Sequence, residues 1–153
     1  TMSDPEDRPC LSDYFLDWQE RLFHVGRLDK ESEGLIIVTN DGQWAHEATH
    51  PSFEVKKTYL VATEETLPRA AFDLLSRGVE LDDGLARPLA VNRFGGFTEI
   101  VIHEGRNHVV RRIFDEIGFP VTRLIRTAFG SIKLGELPSG KWRALNEVEI
   151  TNL

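Results

Sequence analysis

The sequence predicts a strand-rich α+β chain, and three kinds of observation predict it. β-branched or aromatic runs bounded by turn residues occur at Leu35–Val38, Lys56–Thr63 and Thr98–His103. Apolar residues recur at helical spacing in 67–76 and 107–117, each run closed by a glycine. Asn40-Asp41-Gly42, Asp83-Gly84 and Gly95-Gly96 punctuate the rest as tight corners.

Taken in order, residues 1–9 are polar and turn-rich, and Leu11, Phe15, Trp18 and Leu22 then have the spacing of a helix or helical turn, with Ser12 or Asp13 as its cap. The strand at Leu35–Val38 turns at Asn40-Asp41-Gly42 into a short helix, Gln43–Ala48, stopped by Pro51. In Lys56–Thr63, Tyr59 shares a face with Lys57 and Val61, so it is either a core aromatic or part of a cleft wall. Two or three short strands follow the helix over 67–76. In the helix over 107–117 the stripe is Val110, Ile113, Phe114 and Ile117, ended by Gly118 and Pro120. Val121–Ala128 and Ser131–Leu134 read as a strand pair about Gly130, and Asn146-Glu147-Val148-Glu149 as a capping box opening a last helix.

Composition narrows the class. With 153 residues and 41% apolar content the chain can bury one core, so a single domain is expected over 1–153. No apolar run is long enough for a bilayer and no signal pattern opens the chain, which predicts a cytoplasmic protein without a membrane partner. Its one cysteine, Cys10, excludes an internal disulfide framework and a multi-cysteine metal site. The net charge of −7 argues against a polyanionic partner, but its distribution argues the other way. Residues 104–143 carry eight basic side chains (Arg106, Arg111, Arg112, Arg123, Arg126, Lys133, Lys141, Arg143) against four acids, enough for a basic face.

The chemistry concentrates in the loop before the first strong strand, Gly26-Arg27-Leu28-Asp29. With Leu28 anchored in the core, Arg27 and Asp29 are thrown together into a cleft, where a carboxylate can serve as base or nucleophile. Taken alone, Asp29 is also a plain turn residue, Tyr59 a core aromatic and Arg111 a solvated helix residue. A second motif misleads: His46-Glu47-Ala48-Thr49-His50 matches the zinc-protease pattern. Gly42 and Pro51 confine it to barely two turns, with no continuation to supply a third ligand, so no metal is expected.

Three segments in fixed order carry a resemblance: Gly26-Arg27-Leu28-Asp29, then Lys57-Thr58-Tyr59-Leu60-Val61, then Glu104-Gly105-Arg106-Asn107-His108-Val109-Val110-Arg111-Arg112. Together with Thr39-Asn40-Asp41-Gly42, His50-Pro51 and residues 134–142, they resemble the RsuA/RluB-type pseudouridine synthases that modify ribosomal RNA. The resemblance implies a mixed, largely antiparallel β-sheet with flanking helices and a central RNA-binding cleft. It also implies that this is a catalytic domain lacking the family's first strand, which ends in Lys-Pro-x-Gly, and its S4 domain. Val109 stands where the family commonly has Gln.

By that resemblance Asp29 is the catalytic carboxylate, Tyr59 lies against the target uracil and Arg111 forms an ion pair with Asp29. Arg27 fills the gap left by the flipped base. Lys57, Arg106, Asn107, His108 and Arg112 join Arg27 as RNA contacts. The residue types suit these roles. A guanidinium opposes the rise in carboxylate pKa that desolvation brings, and a phenol offers a flat apolar face with a polar edge. Base flipping costs a few kcal/mol in lost stacking, part of which a stacked Arg recovers. The implied reaction isomerises a uridine in ribosomal RNA to pseudouridine without metal or organic cofactor, by a monomer. The rivals are a non-catalytic RNA- or ribosome-binding module on the same fold and an aspartate-dependent hydrolase. The hydrolase needs a second carboxylate of comparable setting, which the sequence does not offer.

Overall fold

In a computed structural model, which describes residues 1–153, the chain folds about one mixed sheet. Its spine is β4 (Lys57–Thr63) between β8 (Phe97–Ile102) and β9 (Val121–Phe129), both antiparallel to it. β7 (Ala90–Phe94) extends one edge and β10 (Ile132–Lys133) the other, and β2 (Glu33–Gly34) runs parallel to β9. Two small antiparallel pairs complete the strands: β1 (Phe23–Val25) with β3 (Ile37–Thr39), and β5 (Val79–Leu81) with β6 (Gly84–Ala86). The α+β class and the largely antiparallel sheet are as expected.

Helices cover the sheet. α1 (Gly42–Thr49) starts where Asp41 accepts from the Trp44 amide, and α4 (Glu147–Thr151) where Asn146 and Glu149 form the reciprocal capping box. α2 (Arg69–Arg77) ends at Gly78 with φ 97°. α3 (Val109–Glu116) is shorter than its apolar stripe predicts, because His108 sits at its N-cap in the left-handed region, φ 51°. The helix expected after Leu11 shrinks to a 3₁₀ turn, Leu11–Phe15; beyond it Trp18 and Phe15 pack on Trp142, and Phe23 already belongs to β1. Tertiary aromatic contacts there override helical spacing.

The apolar residues form two clusters. The larger packs α2 and α3 on β4 and β8 through Leu75, Ile100, Ile113 and Phe114, each fully buried and worth roughly 1.5–3 kcal/mol in transfer from water. The smaller joins Val25, Ile37 and Ala48 to Phe129 and Ile132. A cleft opens between them, walled by Ala48 and Phe129 from one cluster and Ile102, Val109, Val110 and Leu124 from the other.

One glycine sets the crossing beside that cleft. Gly34 has φ +107°, and a Cβ there would collide with the Arg126 backbone, its nitrogen 2.7 Å away. Only glycine lets β2 lie this close to β9. The Leu35 amide then donates to the Arg126 carbonyl at 2.9 Å.

Candidate active site

The cleft has a volume of about 800 Å³, and segments distant in sequence meet in it. The loop from Gly26 to Ser32 forms one wall, Lys57 and Tyr59 of β4 with Leu124 and Arg126 of β9 the floor, and Glu104 to Arg111 the opposite wall. Arg27, Asp29, Lys57, Tyr59, Arg106, Asn107, His108 and Arg111 all line it. Arg112 does not: it turns outward on α3.

The anchoring of the loop differs from expectation. Leu28 is only half-buried and lines the cleft itself, while Val25, ahead of the loop, is the residue sealed in the core. What holds the loop is Arg126. Its Nη1 donates to the Arg27 carbonyl at 3.2 Å and its Nε to the Leu35 carbonyl at 2.9 Å, spanning Asp29 from either side.

The ion pair expected between Asp29 and Arg111 is not formed. Arg111 Nη2 donates instead to the Glu31 carbonyl at 3.0 Å, so it braces the Asp29 loop through its backbone. The basic group beside the carboxylate is His108, with Nδ1 3.3 Å from Asp29 Oδ2. The left-handed backbone at His108 swings the ring back toward the loop instead of along α3.

The basic wall is partly neutralised from elsewhere in the chain. Asp83, at the β5–β6 turn, accepts from both nitrogens of Arg112 at 2.9 and 3.0 Å and from Arg106 at 2.8 Å. The Arg112 guanidinium beside Asp83 holds its carboxyl below the usual range, and Glu104 raises Arg106 above its own. Arg123 pairs with Glu33 and Arg143 with Glu149. Four of the eight basic side chains in 104–143 are thereby matched with carboxylates, three of those acids lying outside or at the ends of the basic stretch's reach in sequence: Asp83 and Glu33 before it, Glu149 after it.

Arg126 is the site residue that reading the sequence missed. It is 3% exposed, with its guanidinium 5.4 Å from the centre of the Phe129 ring. Lys57 Nζ lies 5.8 Å from the same ring, and burial, then Arg126, pushes its ammonium below the ordinary lysine range while Glu104 opposes. The available signal was strand parity: Arg126 falls two residues from inward-facing Leu124, an unusual place for a cation.

His46 and His50 stand with ring centroids 4.9 Å apart, His50 Nδ1 engaging Ser52 Oγ at 2.7 Å, and no three His, Cys, Asp or Glu side chains gather as a metal site would require. No helix is long and apolar enough to cross a membrane.

Comparison with known proteins fits this geometry. Residues 1–116 match the family model for RNA pseudouridylate synthase. An uncharacterized RNA pseudouridine synthase of Mycobacterium tuberculosis is 45% identical over 100% of this chain and 63% of its own length. Ribosomal large subunit pseudouridine synthase B of Bacillus subtilis is 33% identical over 98% of this chain and 64% of its own. A solved structure described as a pseudouridylate synthase superposes with a TM-score of 0.81 at 32% identity, covering 86% of this chain and 59% of that one. The chain belongs to the RNA pseudouridylate synthase family. It spans a little under two thirds of the length of these relatives.

Proposed function

We propose that this chain isomerises a uridine of ribosomal RNA to pseudouridine, with Asp29 as the catalytic carboxylate. The observation that carries the reading is the convergence of Asp29, Tyr59 and Arg111, from three separate segments, on one cleft large enough for a nucleoside. The names of the relatives support ribosomal RNA as the substrate class.

In this reading the target uridine leaves its stack and enters the cleft, its uracil against the Tyr59 ring, while Arg27 at the exposed rim takes the place of the base. Asp29 acts on the ribose or the uracil as an ionised carboxylate. Arg111 and His108 supply the positive surroundings that favour that form. The N1–C1′ bond breaks, the uracil turns while held and a C5–C1′ bond forms; C5 loses a proton and N1 gains one. Nothing else is exchanged, so the protein's task is to hold and to stabilise charge.

Transcribed ribosomal RNA carrying tritium at uridine C5 tests this, because isomerisation releases that tritium to water. Wild-type chain releases it, and Asp29→Ala does not while still binding the RNA. Release at the normal rate by Asp29→Ala overturns the assignment.

A further inference from the structure

Three buried side-chain atoms have no hydrogen-bond partner: Ser32 Oγ, Arg111 Nε and Arg126 Nη2. All three residues line the cleft. A buried donor left unmatched is costly, and a buried cation more so, which makes such a cluster a mark of function. Arg126 stands out. It is nine-tenths buried, no carboxylate lies within 4.0 Å of it, and its other two nitrogens are committed to the Arg27 and Leu35 carbonyls. Lys57, also without a carboxylate in that range, sits across the Phe129 ring from it. Two neighbouring cations are thus sunk into the floor with only a shared ring as partial compensation.

Their position is the second observation. In the β4–β9 register Arg126 is directly opposite Tyr59, and Lys57 lies two residues from Tyr59 on the same strand. A uracil resting on Tyr59 therefore has both cations for neighbours.

We propose that Arg126 and Lys57 form a cationic floor that takes up the negative charge of the uracil as its bond to ribose breaks. The inference rests on the isomerase reading above and adds two catalytic residues to it. When N1–C1′ breaks, its electron pair remains on the uracil, which becomes an anion with charge spread over O2 and O4. The pair is used when C5 bonds to C1′, so the demand for positive charge is transient. Whether Asp29 attacks C1′, attacks C6 or removes the C2′ proton, the ring carries that charge on the way. Donors fixed beforehand where charge develops are the most effective arrangement for such a step.

The test is single-turnover isomerisation by the full chain, on ribosomal RNA transcribed with uridine or with 5-fluorouridine, followed by nuclease digestion and chromatography of the nucleosides. Fluorine at C5 withdraws electrons and eases departure of the uracil, so dependence on the floor falls. Lys57→Gln and Arg126→Gln are expected to slow the step on uridine RNA by about 100-fold at saturating enzyme, the scale of removing one such donor. The half-saturating enzyme concentration should stay nearly constant, and the defect on N1–C1′ cleavage should shrink several-fold with 5-fluorouridine. Arg126→Gln also loosens the Asp29 loop, so melting curves accompany it and Lys57→Gln, which has no bond to that loop, decides the matter. A defect confined to RNA affinity, or equal on both RNAs, or absent, overturns the proposal. Active wild type with an inactive Asp29→Ala and a fully active Lys57→Gln removes this inference alone. Wild type that isomerises no ribosomal uridine removes the isomerase reading, and the floor with it.

Discussion

His108 Nδ1 lies 3.3 Å from Asp29 Oδ2, a contact made across the cleft between residues 79 positions apart in sequence. The pair is half-open to water, His108 at 50% and Asp29 at 32% side-chain exposure, which limits its strength to under about 1 kcal/mol. Since 1.4 kcal/mol is a factor of ten in rate, His108→Ala should lower the single-turnover rate by less than about tenfold, whereas Asp29→Asn should abolish it. Equal losses in the two variants would make His108 indispensable to the chemistry.

Gly34→Ala should be among the most damaging small substitutions in the chain. It forces a side chain into φ +107° and drives a Cβ into the backbone of Arg126. Strain of this kind costs about 3 kcal/mol, roughly a 6–12 °C fall in melting temperature for a chain of this size. Calorimetry measures it. Because β2 and Arg126 together hold the Asp29 loop, the rate at a temperature where the variant is still folded should fall as well.

Asp83 competes with RNA for Arg106 and Arg112. Asp83→Asn frees both guanidiniums, and each new phosphate contact steepens the dependence of log affinity on log salt by about 0.7–0.9. Filter binding at a series of salt concentrations should therefore give a steeper slope for the variant. An unchanged slope would leave these arginines as ties between the β5–β6 hairpin and α3.

Acid should loosen α4 first. Glu149 is lowered to about 2 by its hydrogen bonds from Arg143 and then from the Asn146 backbone, against 4.5 ordinarily. A carboxylate whose folded pKa is depressed contributes stability above its ordinary pKa and loses it as pH falls through the folded one. The contribution is therefore complete above about pH 4.5 and gone near pH 2. Trp44 Nε1 donates to the Ile150 carbonyl at 2.9 Å, so tryptophan fluorescence reports release of the helix. In Glu149→Gln the acid transition in that signal should be lost, and the released signal should already be present at neutral pH.

Local chemistry was legible wherever a residue acts on its near neighbours. Asp41 caps α1, Asn146 and Glu149 box the start of α4, and Asp83-Gly84 and Gly95-Gly96 fall at hairpin turns, as expected from side chains that bond within four positions. The segments around Asp29, Tyr59 and Arg111 stood out by their order, and all three line one cleft. The basic stretch 104–143 misled in part, because its partners Asp83, Glu33 and Glu149 lie outside it.

By itself the sequence determined the strand and helix segments, most of their caps and which three stretches bear the chemistry, since each depends on residue type and short spacing. Tertiary structure alone decided that His108, not Arg111, sits against Asp29, and that Arg126 is buried under the site with one nitrogen unmatched. These depend on where β9 crosses the Asp29 loop, a contact across some ninety residues. No local pattern encodes that distance; it follows from the packing of the sheet.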